Sequence, residues 1–171
     1  MSIVKINFRT ILTTRLLLEC KEKLLFLEQT PCNGGGLTLP GGRVENEEFA
    51  KEALIREAFE EVGISLVKKS LQLVHVAHRR AENLSEIILF FHCTADDSHE
   101  PIVKEPHKFQ NAVWLPTHEL PEELAGVIKK SLRFIKKGKF FSEFPKVRTL
   151  DIEPIIEASE LEIEQENMEL A

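Results

Sequence analysis

Tyrosine is absent from this 171-residue chain, tryptophan occurs once and methionine twice. Cysteine is scarce as well. Cys20, Cys32 and Cys93 are too few and too scattered for a disulfide framework or a zinc site, and they read as ordinary reduced thiols. No stretch approaches the ~18 uninterrupted apolar residues of a membrane span. The first residues, MSIVKINFRTILTTRLLLECKEK, hold no long apolar core and no small-residue cleavage site, so no leader is expected and the default location is cytoplasmic. Apolar residues at 43% and charged ones at 29% suit one globular domain with a hydrophobic core; the length falls short of two.

Charge is segregated. The net value of -6 hides eight acids and no Lys or Arg between residues 151 and 171; the rest of the chain carries 22 basic against 20 acidic residues. Between Gly126 and Leu150 eight basic residues face the single acid Glu143. No RNA-binding motif accompanies these basic residues, so nucleic acid is not an expected partner.

Hydrophobic patterning predicts a strand over residues 3–12, a hairpin from Arg15–Cys20 and Lys23–Gln29, strands over Ser65–Ala77 and Leu84–Ala95, and a short strand at Asn111–Leu115. His75 and His78 would then alternate faces, which argues against a joint metal site. Helices are expected at Phe49–Val62, stopped by Gly63, and within LPEELAGVIKKSLRFIKKG, residues 120–138. Between the hairpin and the first helix, TPCNGGGLTLPGG reads as a shaped loop. The whole is an α/β pattern, a mixed sheet with helices on its faces.

The segment LPGGRVENEEFAKEALIREAFEEVGI, residues 39–64, holds seven Glu. On a helical wheel with Phe49 at zero, Leu54, Ile55, Ala58, Phe59 and Val62 fall between ~140 and ~280 degrees, the core face. Glu57, Glu60 and Glu61 form a separate face about 100 degrees wide, over the small residues Ala50 and Ala53. Acids at i, i+3 and i+4 repel, and they stand near the helix end where the macrodipole prefers cations. A divalent cation such as Mg²⁺ would relieve both penalties, since it takes carboxylate oxygens and leaves positions for phosphate; a solvated charged face is the alternative. Pro40-Gly41-Gly42 lets the main chain pass close to these acids. Glu48 suits the positive end of the dipole, and Arg56 has Glu52 as its simple i,i+4 partner or Glu48 if the entering chain curls back.

Gly42, Glu48 and Arg56-Glu57-Ala58-Phe59-Glu60-Glu61-Val62-Gly63-Ile64 together resemble the Nudix hydrolase signature at every fixed position. Leu39-Pro40-Gly41-Gly42 is similar to the usual lead-in, and Trp114-Leu115 before His118-Glu119-Leu120-Pro121 to the late strand and turn. The resemblance runs to about residue 140. It implies a Nudix α/β/α sandwich over residues 1–144; residues 145–171, read from their charge as an acidic tail or docked helix, lie outside the match. It also implies Mg²⁺, or Mn²⁺ in its place, as cofactor and pyrophosphohydrolase activity. The metal ligands it implies are Glu60, Glu61 and the Gly41 carbonyl. Glu57 is either the base that deprotonates water or a further ligand. Glu48 and Arg56 hold the box in shape. Another acid is often recruited from the loop before the late strand; Glu105 is the candidate, Glu100 the second choice.

Substrate class is read by exclusion. The proline usual in ADP-ribose members is replaced near that position by Arg79-Arg80, and the tyrosine of dinucleoside polyphosphate members has no counterpart. A nucleoside triphosphate is what remains. Arg79, Arg80, Gly42 and Lys108 are candidate phosphate contacts, with His107 beside them, and Phe8, Phe91, Phe109 and Trp114 candidates for base stacking. Isoprenoid diphosphate isomerisation, which shares the scaffold, expects a catalytic cysteine in a context that Cys32 lacks. The tail either docks on the basic last helix, in its own subunit or a homodimer partner, or stays solvated.

Overall fold

The computed structural model describes residues 9–80, 84–96 and 100–145. The expectations for Phe8 and for the acidic tail from residue 146 onward lie outside them. Seven strands and two α-helices are found among the described residues: β1 Arg9–Cys20, β2 Lys23–Gln29, β3 Leu37–Thr38, α1 Ala50–Val62, β4 Gln72–Arg80, β5 Leu84–Thr94, β6 Phe109–Pro116, α2 Gly126–Lys136 and β7 Phe141–Phe144. They form one mixed sheet in the order β3-β2-β1-β5-β4-β7, with β6 paired to β2. The pairs β1–β5 and β4–β7 are parallel; β1–β2, β2–β3, β2–β6 and β4–β5 are antiparallel.

Alternation along β1 sets the two layers. Leu16 and Leu18 point into one core with Leu54, Ala58 and Val62 of α1; Leu17 points into the other with Ile128 and Leu132 of α2. Each side chain is buried, and successive residues of a strand must face opposite ways. The result is the expected α/β/α sandwich with a mixed sheet.

Several element boundaries differ from the sequence expectation. β1 is continuous through Thr13 and Thr14, whose hydroxyls donate to Glu86 and to the Gly42 carbonyl, so polar residues that look like an interruption are satisfied inside the strand. β4 begins only at Gln72, because Lys68–Ser70 forms a 3-10 turn. α2 starts at Gly126, after a turn carrying Pro121. Phe59 was expected in the core but is 50% exposed, with the Lys104 ammonium 3.6 Å from its ring centroid. β3 and β7 were not anticipated.

His75 and His78 have separate partners. His78 Nε2 meets the Ser85 hydroxyl, whereas buried His75 lies between the Lys139 carbonyl at Nδ1 and Ser142 at Nε2, each at 2.8 Å. A carbonyl only accepts, so Nδ1 carries the proton and Ser142 donates to Nε2. This pins β4 to β7 and to the exit of α2.

Candidate active site

The loop after β3 lies against β1 as an extra length of strand. The Thr14 amide donates to the Gly42 carbonyl, Leu16 to Pro40 and Val44 to Leu12, at 2.8, 2.8 and 2.9 Å. Gly41 makes this approach possible. Its φ is 128°, and a Cβ there would run into the Thr14 carbonyl. Gly42 serves a different purpose: the space its Cβ would take is filled by the Glu57 carboxylate.

α1 begins at Ala50 with the Phe49 amide donating to the Glu52 carboxylate at 2.9 Å, the return half of a capping box. It stops at Gly63, which takes the left-handed conformation at φ 71°. The following chain then crosses the helix end. Lys104 donates its amide to the Glu61 carbonyl and Ile102 to that of Val62, each at 2.9 Å, satisfying last-turn acceptors. The next residue is Glu105, which is how an acid 44 positions from Glu61 reaches the same place.

Glu61 is 4% exposed, and its Oε2 accepts the Gly41 amide at 2.8 Å. Burial pushes its carboxyl well above the usual carboxylate range; the Gly41 amide opposes this, Glu57 adds to it, Arg15 opposes it and Glu105 adds to it. Burial likewise raises Glu57, while the bond from Arg56 pulls it down. Glu105 Oε1 lies 3.1 Å from the Lys108 ammonium, and its Oε2 is buried with no hydrogen-bond partner. Glu57 and Glu105 thus both act on buried Glu61, and one Glu105 oxygen is left unsatisfied.

Arg56 spans the outer side. Its Nη2 donates to Glu48 at 2.8 Å and to the Arg43 carbonyl at 3.2 Å, its Nη1 to Glu57 at 2.8 Å and Glu60 at 3.1 Å. The curled-back Glu48 pairing is therefore the one adopted, and Glu52 instead meets Lys68. Glu48, bonded to the guanidinium, is held below its ordinary value, and Arg56 is raised in turn. Glu60 is about half exposed, at 49%. In this arrangement no three His, Cys, Asp or Glu among the described residues stand ready around a common ion: Glu57 and Glu60 share the guanidinium, while Glu61 and Glu105 lie inward.

Arg79 lies inside β4, 7% exposed and ion-paired with Glu86, whereas a phosphate contact was expected of it. Arg80 is exposed at the strand end, and Lys108 faces Glu105 and acts on Glu57. Phe91 and Phe109 are buried core, and Trp114 packs at its edge. The sequence reading missed Arg15, whose guanidinium donates to the Gly41 carbonyl. A charged residue set between Thr14 and an apolar run was the available signal.

The two glycines make separable predictions. Gly41→Ala should cost about 2 kcal/mol or more, from a positive φ and a backbone collision, read as a lower midpoint in denaturant. Gly42→Ala meets a movable side chain instead. Stability should hold while kcat falls at least about tenfold, because the Glu57 carboxylate is displaced.

Residues 12–136 match the family description "NUDIX domain". Solved structures agree in fold. A MutT NUDIX hydrolase from Burkholderia pseudomallei is 24% identical with a TM-score of 0.63, covering 73% of this chain and 97% of its own. The ORF135 protein of E. coli, also 24% identical at TM-score 0.63, covers 76% and 91%. A MutT protein from Bacillus halodurans reaches 0.67 at 19% identity, covering 82% and 92%. The signature acids, the loop beside β1 and a match over most of the chain converge: the protein belongs to the NUDIX family and is a Nudix hydrolase.

Proposed function

We propose that this Nudix hydrolase uses Mg²⁺ to cleave a nucleoside triphosphate to its monophosphate and pyrophosphate, consuming one water. The observation that carries the metal is the Glu105 oxygen, buried without a partner beside Glu61 and Glu57. Three acids drawn out of water need a cation to offset their desolvation, and hard carboxylate and carbonyl oxygens fit Mg²⁺ or Mn²⁺. The Gly41 carbonyl, Glu57, Glu60, Glu61 and Glu105 are the residues to hold it. Once bound, such an ion neutralises polyphosphate charge and acidifies water.

The chain's own groups do the rest. Glu57, kept less acidic than an ordinary carboxylate by burial, is suited to accept a proton from the attacking water. Arg56 limits where that carboxylate can turn. Lys108 beside Glu105 and exposed Arg80 supply positive charge for phosphate. The triphosphate assignment rests on the exclusions made from the sequence.

The deciding experiment incubates the protein with Mg²⁺ and a panel of nucleoside triphosphates, nucleotide sugars and dinucleoside polyphosphates, reading monophosphate and pyrophosphate. Turnover of nucleotide sugars and not triphosphates overturns the substrate class. Binding without turnover of any compound overturns catalysis in favour of a regulatory module. Glu105→Gln should weaken Mn²⁺ binding, measured without substrate, about tenfold or more, since affinity follows ligand charge; unchanged binding removes Glu105 from the ligand set.

A further inference from the structure

The outer side of α2 is strongly basic. Lys130, Arg133 and Lys137 recur at i, i+3 and i+7, one stripe of the helix, with Lys136 and Lys139 near them, all exposed. Lys129 is paired with Glu122 at 2.7 Å. Among the described residues, Lys130, Lys136 and Lys137 make no ion pair. Phe134 sits beside the stripe, and Phe140 follows at the helix exit, 37% and 56% exposed. The ring of Phe134 stacks on His75 and meets Phe144 of β7 at 6.2 Å. So a basic stripe and exposed aromatic surface lie where α2 packs on the sheet's edge strand.

The chain leaves β7 at Pro145, beside this surface, with 26 residues still to come. Placed on a helical wheel with Ile152 at zero, Ile155, Ile156 and Ile163 fall within about 60 degrees of it. Glu153, Glu157, Glu160 and Glu164 fall between ~80 and ~140 degrees, an acidic stripe flanking the isoleucines. Pro154 is comfortable in a first turn. Residues 146–151 can span up to ~20 Å, more than the ~16 Å length of α2 itself.

We propose that residues 152–164 dock as an amphipathic helix on α2 and β7 of their own chain, isoleucines on Phe134 and Phe140, the glutamate stripe over Lys130, Arg133 and Lys137. The two charge stripes are opposite in sign, and each is flanked by apolar residues. The described residues end at Pro145, directly after β7, so docking within one chain needs no second molecule. This is independent of the substrate reading.

Limited proteolysis of the full chain with a protease of broad specificity, such as proteinase K, whose cutting does not depend on glutamate, tests it. At about 0.05 M salt the tail should be cut slowly, and raising salt to about 1 M should accelerate cutting about tenfold, because exposed ion pairs are screened. The variant K130E/R133E/K137E should show the fast rate even at low salt, with unchanged melting temperature and turnover. Adding E153K/E157K/E160K/E164K to it should restore protection. Should the triple variant fail to fold, Ile155→Ser/Ile156→Ser in the tail provides the same comparison and should also be cut fast. Rapid cutting of the wild-type tail at low salt, equal in all variants, overturns the proposal. Protection that vanishes on dilution, together with a dimer mass, transfers the occupant to a second copy and overturns docking within the chain.

Discussion

Glu57→Gln should lower kcat at least about 10²-fold at saturating Mg²⁺, the low end for losing a general base or a close electrostatic contact. The substitution keeps the shape of a side chain that lies in the space beside Gly42 and accepts from Arg56 at 2.8 Å. An amide oxygen can go on accepting that bond. What disappears is a negative charge that burial already disfavours. The carboxyl is raised, so the folded protein holds its proton more firmly than the unfolded chain does. Above that raised value the ionised group works against folding. Melting temperature in the absence of metal should therefore stay equal or rise.

The same variant separates the two roles open to Glu57. A base lost from the reaction lowers kcat and leaves the Mg²⁺ concentration for half-activation where it was. A ligand lost from the ion moves that concentration upward and weakens Mn²⁺ binding measured without substrate. Turnover close to that of the unmodified enzyme at saturating Mg²⁺ would remove the base role, and an unmoved half-activation concentration would remove the ligand role as well.

Much of this site was legible because α1 is a local object. Its expected limits, Phe49–Val62, differ from Ala50–Val62 by one residue, since Gly63 and a 3.6-residue pattern are signals within one stretch of chain. The wheel also separated the acids from the apolar face. It could not tell that Glu61 would be the buried one, because its burial comes from the loop at Gly41 and from the chain after α1, both remote in sequence. Phe59 fails for the complementary reason. Its place at the margin of the apolar arc is decided by what covers it, and Lys104 covers it from above.

Edge elements were less readable. β7 is four residues long and alternates exposed and buried as FSEF, a pattern too short to stand out after a lysine-rich helix exit. It exists because β4 offers it a parallel edge and His75 ties the two together through Ser142. Thr13 and Thr14 gave the opposite error. The expected strands, 3–12 and Arg15–Cys20, left them out, and partners 73 and 28 positions away make them acceptable inside β1.

Arg79→Ala should destabilise the protein by about 3–5 kcal/mol, the cost of stranding one member of a buried ion pair. Glu86 is 5% exposed, pairs with Arg79 and accepts the Thr13 hydroxyl at 2.8 Å. The three residues stand on neighbouring strands β4, β5 and β1, so the network ties the centre of the sheet across two strand boundaries. Without the guanidinium, Glu86 must either keep an unpaired charge in the interior or take up a proton, and both cost stability. Replacing both partners, as Arg79→Met/Glu86→Leu, should recover most of the loss, because the pair's own desolvation nearly offsets its attraction. A denaturant titration of the single and double variants decides this. The phosphate contact expected for Arg79 from its place in the sequence makes a different forecast: a KM raised about tenfold or more with the folding midpoint unmoved, as for a lost charge-assisted bond to substrate. If the single variant shows that behaviour, the ion pair is incidental and Arg79 leaves the sheet to meet substrate.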